Sequence, residues 1–230
     1  GKRPAQGSAD NEITNVQKLH DLYMDDGSQF GNTLILKQYI EGIGTTNDGH
    51  SFSPTQDNDM GLGLGVGETG VDAKVKKGCE AAVNSILDYL PQGYDGIGCF
   101  QFDVFGFSRG AAAARHFTNQ VIQGEDGYFG QAVKKKHLPL SDPFDWKNPQ
   151  QSQFTFVGIF DTVAAIGDDL DAHNRSDERK IRLAVPSAQT KRLVHLTAAD
   201  EFRYNFSLNQ INPASGFSEY SVPGAHSDLG

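Results

Sequence analysis

Cysteine is scarce in this chain. It has two in 230 residues, Cys79 and Cys99, too few for the disulfide framework on which small secreted folds rely. Cys79 falls on a predicted helix and Cys99 at a predicted strand start, so both read as core side chains. No apolar run reaches the roughly 18 residues that a membrane-crossing helix needs, and no basic-then-apolar leader precedes Asn11. Basic residues are outnumbered, 20 Lys and Arg against 29 Asp and Glu, for a net charge of −9. That balance argues against nucleic acid as a partner. It also disfavours broad electrostatic docking on an anionic membrane, so lipid contact would need a local apolar or basic patch. Internal repeats and low-complexity tracts are absent. The length is enough for one α/β domain with a sizeable core.

Periodicity supplies the elements. Ile13, Val16, Leu19 and Leu22 predict a helix over residues 11–23 behind an Asn11 cap. Val71, Val75, Cys79, Val83, Ile86 and Leu90 predict an amphipathic helix over 71–90, stopped by Pro91 and Gly93. Residues 33–41, 154–160 and 192–199 read as strands, and a further strand starts near residue 98. A helix is expected to run to about Ile122, and another lies around 177–184. Such alternation implies a largely parallel sheet covered by helices.

The strand near residue 98 ends in Gly106-Phe107-Ser108-Arg109-Gly110, and Ala111-Ala112-Ala113-Ala114 follows at once. Strand, sharp turn and helix around Gly-x-Ser-x-Gly form a nucleophile elbow. The serine must stand on a tight, strained turn to project its hydroxyl. Gly106 and Gly110 are expected to remove Cβ atoms where strand and helix approach. The helix N-terminus, beginning with the Arg109 amide, would aim donors at a developing oxyanion.

A nucleophilic serine needs a base and an orienting acid, which follow it in this fold as Asp/Glu, then His. Downstream of Ser108 stand His137, His173, His195 and His226. His195 lies inside the apolar run Leu193-Val194-His195-Leu196 and reads as a core residue. His137 and His173 lie in polar surroundings and read as solvated. His226, in the loop Val222-Pro223-Gly224-Ala225-His226-Ser227-Asp228, stands where a catalytic histidine belongs. Two acids qualify, Asp161 after the strand 154–160 and Asp200 after the strand 192–199. Both would sit at carboxyl ends of parallel strands, and the residues alone do not separate them.

Three stretches carry weaker signals. Gly65-Val66-Gly67-Glu68-Thr69-Gly70 matches Gly-x-Gly-x-x-Gly but lacks the buried strand that a dinucleotide fingerprint requires, so it reads as a glycine loop. Asp168, Asp169, Asp171 and Asp177 could attract calcium, yet counting from Asp169 puts Asn174 and Lys180 where an EF-hand needs Gly and Glu. No cofactor is expected, and calcium is not indicated by any recognisable motif. Residues 123–153 join Lys134-Lys135-Lys136 to Phe144 and the only tryptophan, Trp146. They form either a lipid-facing cap or a surface insertion whose aromatics anchor it to the core.

Taken together, Gly106–Gly110, Phe160-Asp161-Thr162-Val163, Asp200-Glu201-Phe202-Arg203 and Pro223-Gly224-Ala225-His226-Ser227-Asp228 resemble the antibacterial type VI secretion phospholipase effectors of the first lipase class. Thr14–Leu19, Tyr39–Thr45 and the glycine stretch 61–70 fit the same pattern, so the likeness covers nearly the whole chain. It implies an α/β-hydrolase-like fold with helices on both faces of the sheet. It implies a triad of Ser108, Asp161 and His226, with Asp161 preferred over Asp200, hydrolysing esters of membrane phospholipids. It further implies delivery by a contact-dependent machine into target cells, in the periplasm, without a signal peptide. The expected partners are a secretion-machine component and a cognate immunity protein. One departure is the missing Phe-Asp-Gly-Thr strand end with which such proteins begin. Residues 1–230 are therefore expected to be one catalytic domain cut from a longer protein, without the second oxyanion donor of an early strand–helix loop. Two other classes stay open: a carboxylesterase or thioesterase for soluble substrates, and a non-catalytic binding module on a hydrolase scaffold.

Overall fold

The computed structural model describes residues 14–24, 26–42, 70–164, 181–203 and 206–230. Its first helix, α1 (Asn15–Leu22), opens on Thr14, whose hydroxyl accepts the Gln17 amide at 3.2 Å. The expected Asn11 cap lies outside the described residues, and the cap in the structure is Thr14. The strand expected over 33–41 is shorter. A hairpin pairs β1 (Ser28–Phe30) with β2 (Thr33–Ile35) through a turn in which Gly31 has φ 57°. Residues 36–41 run on with no strand partner among the described residues.

Helix α2 (Val71–Tyr89) buries Val71, Val75, Cys79 and Val83, the fourth-residue stripe that predicted it. Burial pushes the Cys79 thiol up to about 12, so it stays a neutral core group. Strand β3 (Phe100–Phe107) leads through Ser108 into helix α3 (Arg109–Ile122), and helix α4 (Tyr128–Lys135) follows. Strands β4 (Ser152–Phe160), β5 (Leu193–Ala198) and β6 (Phe217–Val222) complete a four-stranded sheet in the order β3-β4-β5-β6, parallel throughout. The fold is α/β, of the α/β-hydrolase kind.

Side-chain alternation divides the sheet into two faces. Phe100 and Phe102 of β3, with Phe154, Val157 and Ile159 of β4, pack under α2, α3 and α4. Phe102 meets Phe117 and Phe129 edge-on at 5.3 and 5.4 Å, contacts worth about 0.5–1.5 kcal/mol each beyond burial. On the other face, α1 is fastened by Asn15 to the Leu229 carbonyl at 3.3 Å and by the Tyr23 hydroxyl to Asp103 at 2.5 Å.

In segment 123–153 the aromatic side chains turn inward. Trp146 stacks on Phe100 at 5.7 Å, Phe144 meets the same ring edge-on at 5.7 Å, and Phe129 is fully buried. Phe100 starts β3 and Ser108 follows its end, so these rings anchor the segment at the strand end away from the serine. Lys134, Lys135 and Lys136 are exposed, and Lys134 pairs with Glu125 at 2.6 Å.

The helix expected around 177–184 is absent over its described part, 181–184. Side chains of α3 instead hold the carbonyls of this segment. Arg115 Nε donates to the Leu183 carbonyl at 2.6 Å, and Asn119 donates to those of Arg182 and Ala184 at 3.3 and 2.8 Å.

The two elbow glycines differ. A Cβ on Gly106 would lie 2.3 Å from the Gly110 carbonyl oxygen and 2.8 Å from the Ala111 Cα, so β3 and α3 cross too closely for any side chain. A Cβ on Gly110 would meet nothing within 4 Å, so the collision expected there does not occur. Gly110 supplies the backbone that Gly106 must clear. Gly106→Ala should therefore lose about 1–3 kcal/mol of stability to overpacking. Gly110→Ala should stay within about 0.5 kcal/mol of the parent or gain slightly from helix propensity. Urea-denaturation midpoints of the two variants check the contrast.

Candidate active site

Ser108 occupies the turn between β3 and α3 with φ 56° and ψ −124°. That backbone costs a non-glycine residue about 1–3 kcal/mol, and its neighbours hold it. The Ser108 amide donates to the Phe160 carbonyl at 2.9 Å, and its carbonyl accepts the Ala111 and Ala112 amides at 3.0 and 3.2 Å. Its hydroxyl stands 2.8 Å from Nε2 of His226. Arg109 is the first residue of α3, which puts its amide at the positive end of that helix, next to Ser108.

His226 begins a 3₁₀ turn, His226–Leu229, shortly after β6, and is 5% exposed. Its Nδ1 lies 2.6 Å from Oδ2 of Asp161. Asp161 follows β4 directly with φ 41°, is 2% exposed, and accepts the Ala198 amide on Oδ1 at 3.0 Å. One carboxylate oxygen is thereby fixed to the end of β5, leaving the other for the imidazole. Nδ1–H donates to Asp161, so Nε2 is the acceptor facing the serine hydroxyl. The structure thus joins Ser108, His226 and Asp161 in one chain of hydrogen bonds at the carboxyl ends of strands in one sheet.

The other candidate acid has a different task. Asp200 accepts the Gly224 amide on Oδ2 at 2.8 Å and donates its own amide to the Gly224 carbonyl at 3.0 Å. It ties down the loop that carries His226, and its carboxylate is spent on that loop rather than on the imidazole.

Sequence reasoning missed Glu201. Its side chain is 7% exposed, and Oε2 accepts the His226 amide at 3.2 Å. Arg203 grips the same carboxylate through Nε at 2.9 Å and a terminal nitrogen at 2.6 Å. These hydrogen bonds hold the Glu201 carboxyl down to about 2, so the acceptor stays ionised. The Arg203 guanidinium also lies 4.1 Å above the Phe206 ring. Phe206 and Phe107 flank the His226 ring, each at 4.6 Å. The signal was the Glu-x-Arg spacing after β5, but only the fold shows that it cradles His226.

Of the remaining histidines, His195 is fully buried on β5 as expected, and His137 is exposed. His173, the aspartates 168, 169, 171 and 177, and the glycines 61–67 lie outside the described residues. Among the described residues no group of three or more His, Cys, Asp or Glu is placed to hold a metal ion, and no helix is long and apolar enough to cross a membrane.

No family model matches the chain, and neither does any curated protein. A solved structure does match: the Tle1 effector bound to the VgrG spike from the Type 6 secretion system. It is 31% identical over 94% of this chain, with a TM-score of 0.66. A structural neighbour is therefore a type VI secretion effector. The chain spans 40% of that effector's length. An uncharacterized protein from Pseudomonas aeruginosa is 26% identical over 70% of this chain and 22% of its own, with a TM-score of 0.36 that carries no argument.

Two buried imidazoles make stability depend on pH. Burial holds both His116 and His195 below the usual histidine value of 6.5. Above 6.5 both states are neutral and stability is full. As pH falls below 6.5 the unfolded chain takes up protons that the folded one refuses, so stability declines. Thermal melts between pH 8 and pH 5 should show the midpoint falling as pH drops through this range. Glu201 adds its own loss only below about 4.5, its unfolded value. A flat profile from pH 7 to pH 5 would contradict neutral burial of these rings.

Proposed function

We propose that this chain is the catalytic part of a serine ester hydrolase acting on membrane phospholipids, working as a type VI secretion effector. One observation carries the chemistry: the contacts from the Ser108 hydroxyl through His226 to Asp161, with the serine on a strained elbow at a helix N-terminus. In this reading His226 Nε2 takes the Ser108 proton as Oγ attacks the ester carbonyl. The Arg109 amide stabilises the oxyanion. The imidazolium, held by Asp161, returns the proton to the departing alcohol and leaves an acyl-serine. Water, deprotonated by His226, then releases the fatty acid and restores the hydroxyl.

The substrate class and route of delivery rest on likeness. The motifs that resemble phospholipase effectors include these three residues, and the Tle1 neighbour is bound to a secretion spike. By the same likeness, this protein would ride on a spike component and act beyond the cell that makes it.

The full-length protein, incubated with vesicles of defined phospholipids, should release fatty acid and lysophospholipid. Ser108→Ala should lower the rate by roughly 10³–10⁶-fold while leaving the melting profile intact. Hydrolysis of soluble esters alone would keep the serine chemistry and replace the substrate class, and full activity of Ser108→Ala would remove both.

The two acids should separate cleanly. Asp161→Asn should lower kcat by about 10³–10⁴-fold. Asp200→Asn can still accept the Gly224 amide and should cost less than about 10-fold. Equal losses would reassign the acid.

A further inference from the structure

Beneath Asp161, on the face covered by α3, lies a second imidazole–carboxylate pair that the reaction above does not use. His195 of β5 stands directly across from Glu219 of β6 in the strand register, and Nδ1 lies 2.9 Å from Glu219 Oε2. On its other side, Nε2 accepts the Thr162 amide at 3.1 Å, with Thr162 Oγ1 also at 3.1 Å. An amide N–H can only donate, so Nε2 is unprotonated and the ring proton sits on Nδ1, facing Glu219. This fixes one tautomer of a ring that is fully buried.

Thr162 follows Asp161 in the chain, so His195 grips the peptide group just beyond the left-handed turn at Asp161. The same short segment is held again from a second side. The Thr162 carbonyl accepts the Asn209 amide at 2.8 Å, and Asn209 Oδ1 accepts the Ala164 amide at 2.8 Å. Asn209 is in turn fastened by Arg115, which donates to its carbonyl at 2.7 Å, and Glu219 also takes the Ile211 amide at 3.1 Å. A carboxylate that must meet an imidazole at 2.6 Å from a strained backbone needs this kind of support. Geometry of that kind depends on the partners of the functional group as much as on the group itself.

We propose that His195 and Glu219 form a positioning pair, which aims the Asp161 carboxylate at His226 through the Thr162 amide. The proposal rests on Asp161 being the orienting acid, as argued above. Neither member is a catalytic residue, since both act through the backbone of Asp161 and Thr162. The pair works only with Nε2 unprotonated, because a proton there would face the Thr162 N–H with another donor. Glu219 from β6 and Asp161 after β4 favour that proton, while Arg115 from α3 and burial oppose it.

A double-mutant cycle tests this in the full-length protein, read by kcat and KM and by the rate at which a fluorophosphonate probe modifies Ser108. His195→Asn keeps a donor towards Glu219 but withdraws the acceptor from Thr162. It should lower kcat and the labelling rate by roughly 10–100-fold, the range for lost supporting partners, with KM within about 3-fold. His195→Gln places an amide oxygen near the Nε2 position and should recover most of that loss. In an Asp161→Asn background, His195→Asn should cost less than about 3-fold more, because coupled residues are non-additive. Should His195→Asn fail to fold, Glu219→Met, which removes the acceptor facing Nδ1–H, replaces it in the same cycle with the same expected absorption by Asp161→Asn. An equal loss in both backgrounds, or a raised KM at unchanged kcat, overturns the pair while leaving the serine mechanism standing. A parent protein with no Ser108-dependent hydrolysis or labelling overturns the mechanism and the pair together.

Discussion

A hydrogen bond of 2.6 Å joins His226 to Asp161 across 65 positions of sequence, and the rest of the site is arranged so that it can form. Asp161 leaves β4 at a residue whose amide is paired with the Leu196 carbonyl of β5 at 2.7 Å. His226 arrives from β6, on the far side of β5. The bond therefore closes only if β4, β5 and β6 keep their parallel register. A slip of one residue would turn Asp161 to the other face of the sheet. Val157 and Ile159 of β4, Leu193 of β5 and Phe217 of β6 pack into one core, so the packing that stabilises the fold also supports the aim of the carboxylate.

Backbone strain is concentrated at two of the three residues. Ser108 and Asp161 are non-glycine residues at positive φ, 56° and 41°, and each is restrained by hydrogen bonds from neighbouring strands. Strain of about 1–3 kcal/mol per residue persists only where surrounding bonds over-determine it. The two turns share partners. The Ser108 amide bonds to Phe160, the residue before Asp161, and the Val163 amide reaches the Ser108 carbonyl at 3.3 Å. The turn at Ser108 and the turn at Asp161 thus brace each other, and Gly106 allows the close crossing that this requires.

Much of this was legible in the residues, for identifiable reasons. The stripe of Val71, Val75, Cys79 and Val83 has the helical period, and 154–160 is a short apolar run, so both elements follow from local pattern. The elbow at Ser108 was legible because it is a local motif, and the loop of His226 because it follows a short strand-like segment. The choice between Asp161 and Asp200 was not. Both close a parallel strand, and what separates them is that Asp200 is spent on Gly224, a contact 24 residues away. Likewise the strand expected over 33–41 is shorter because pairing, which no local pattern reports, ends at Ile35 among the described residues. Residues 181–184 are held by Arg115 and Asn119, more than 60 positions earlier, contacts that no local pattern reports.

The same missing long-range information separates two of the chain's histidine–carboxylate pairs, His226–Asp161 and His195–Glu219. His226 stands in a loop, with one nitrogen on Asp161 and the other on a hydroxyl that can surrender its proton. His195 lies inside a strand, with one nitrogen on Glu219 and the other on a backbone amide that cannot. What each imidazole can do is decided by its second partner rather than by its carboxylate. A ring facing an amide can only hold that amide in place, and a ring facing a hydroxyl can move a proton. The two pairs meet at consecutive residues, Asp161 and Thr162, which is what the proposed positioning of the proposed triad requires.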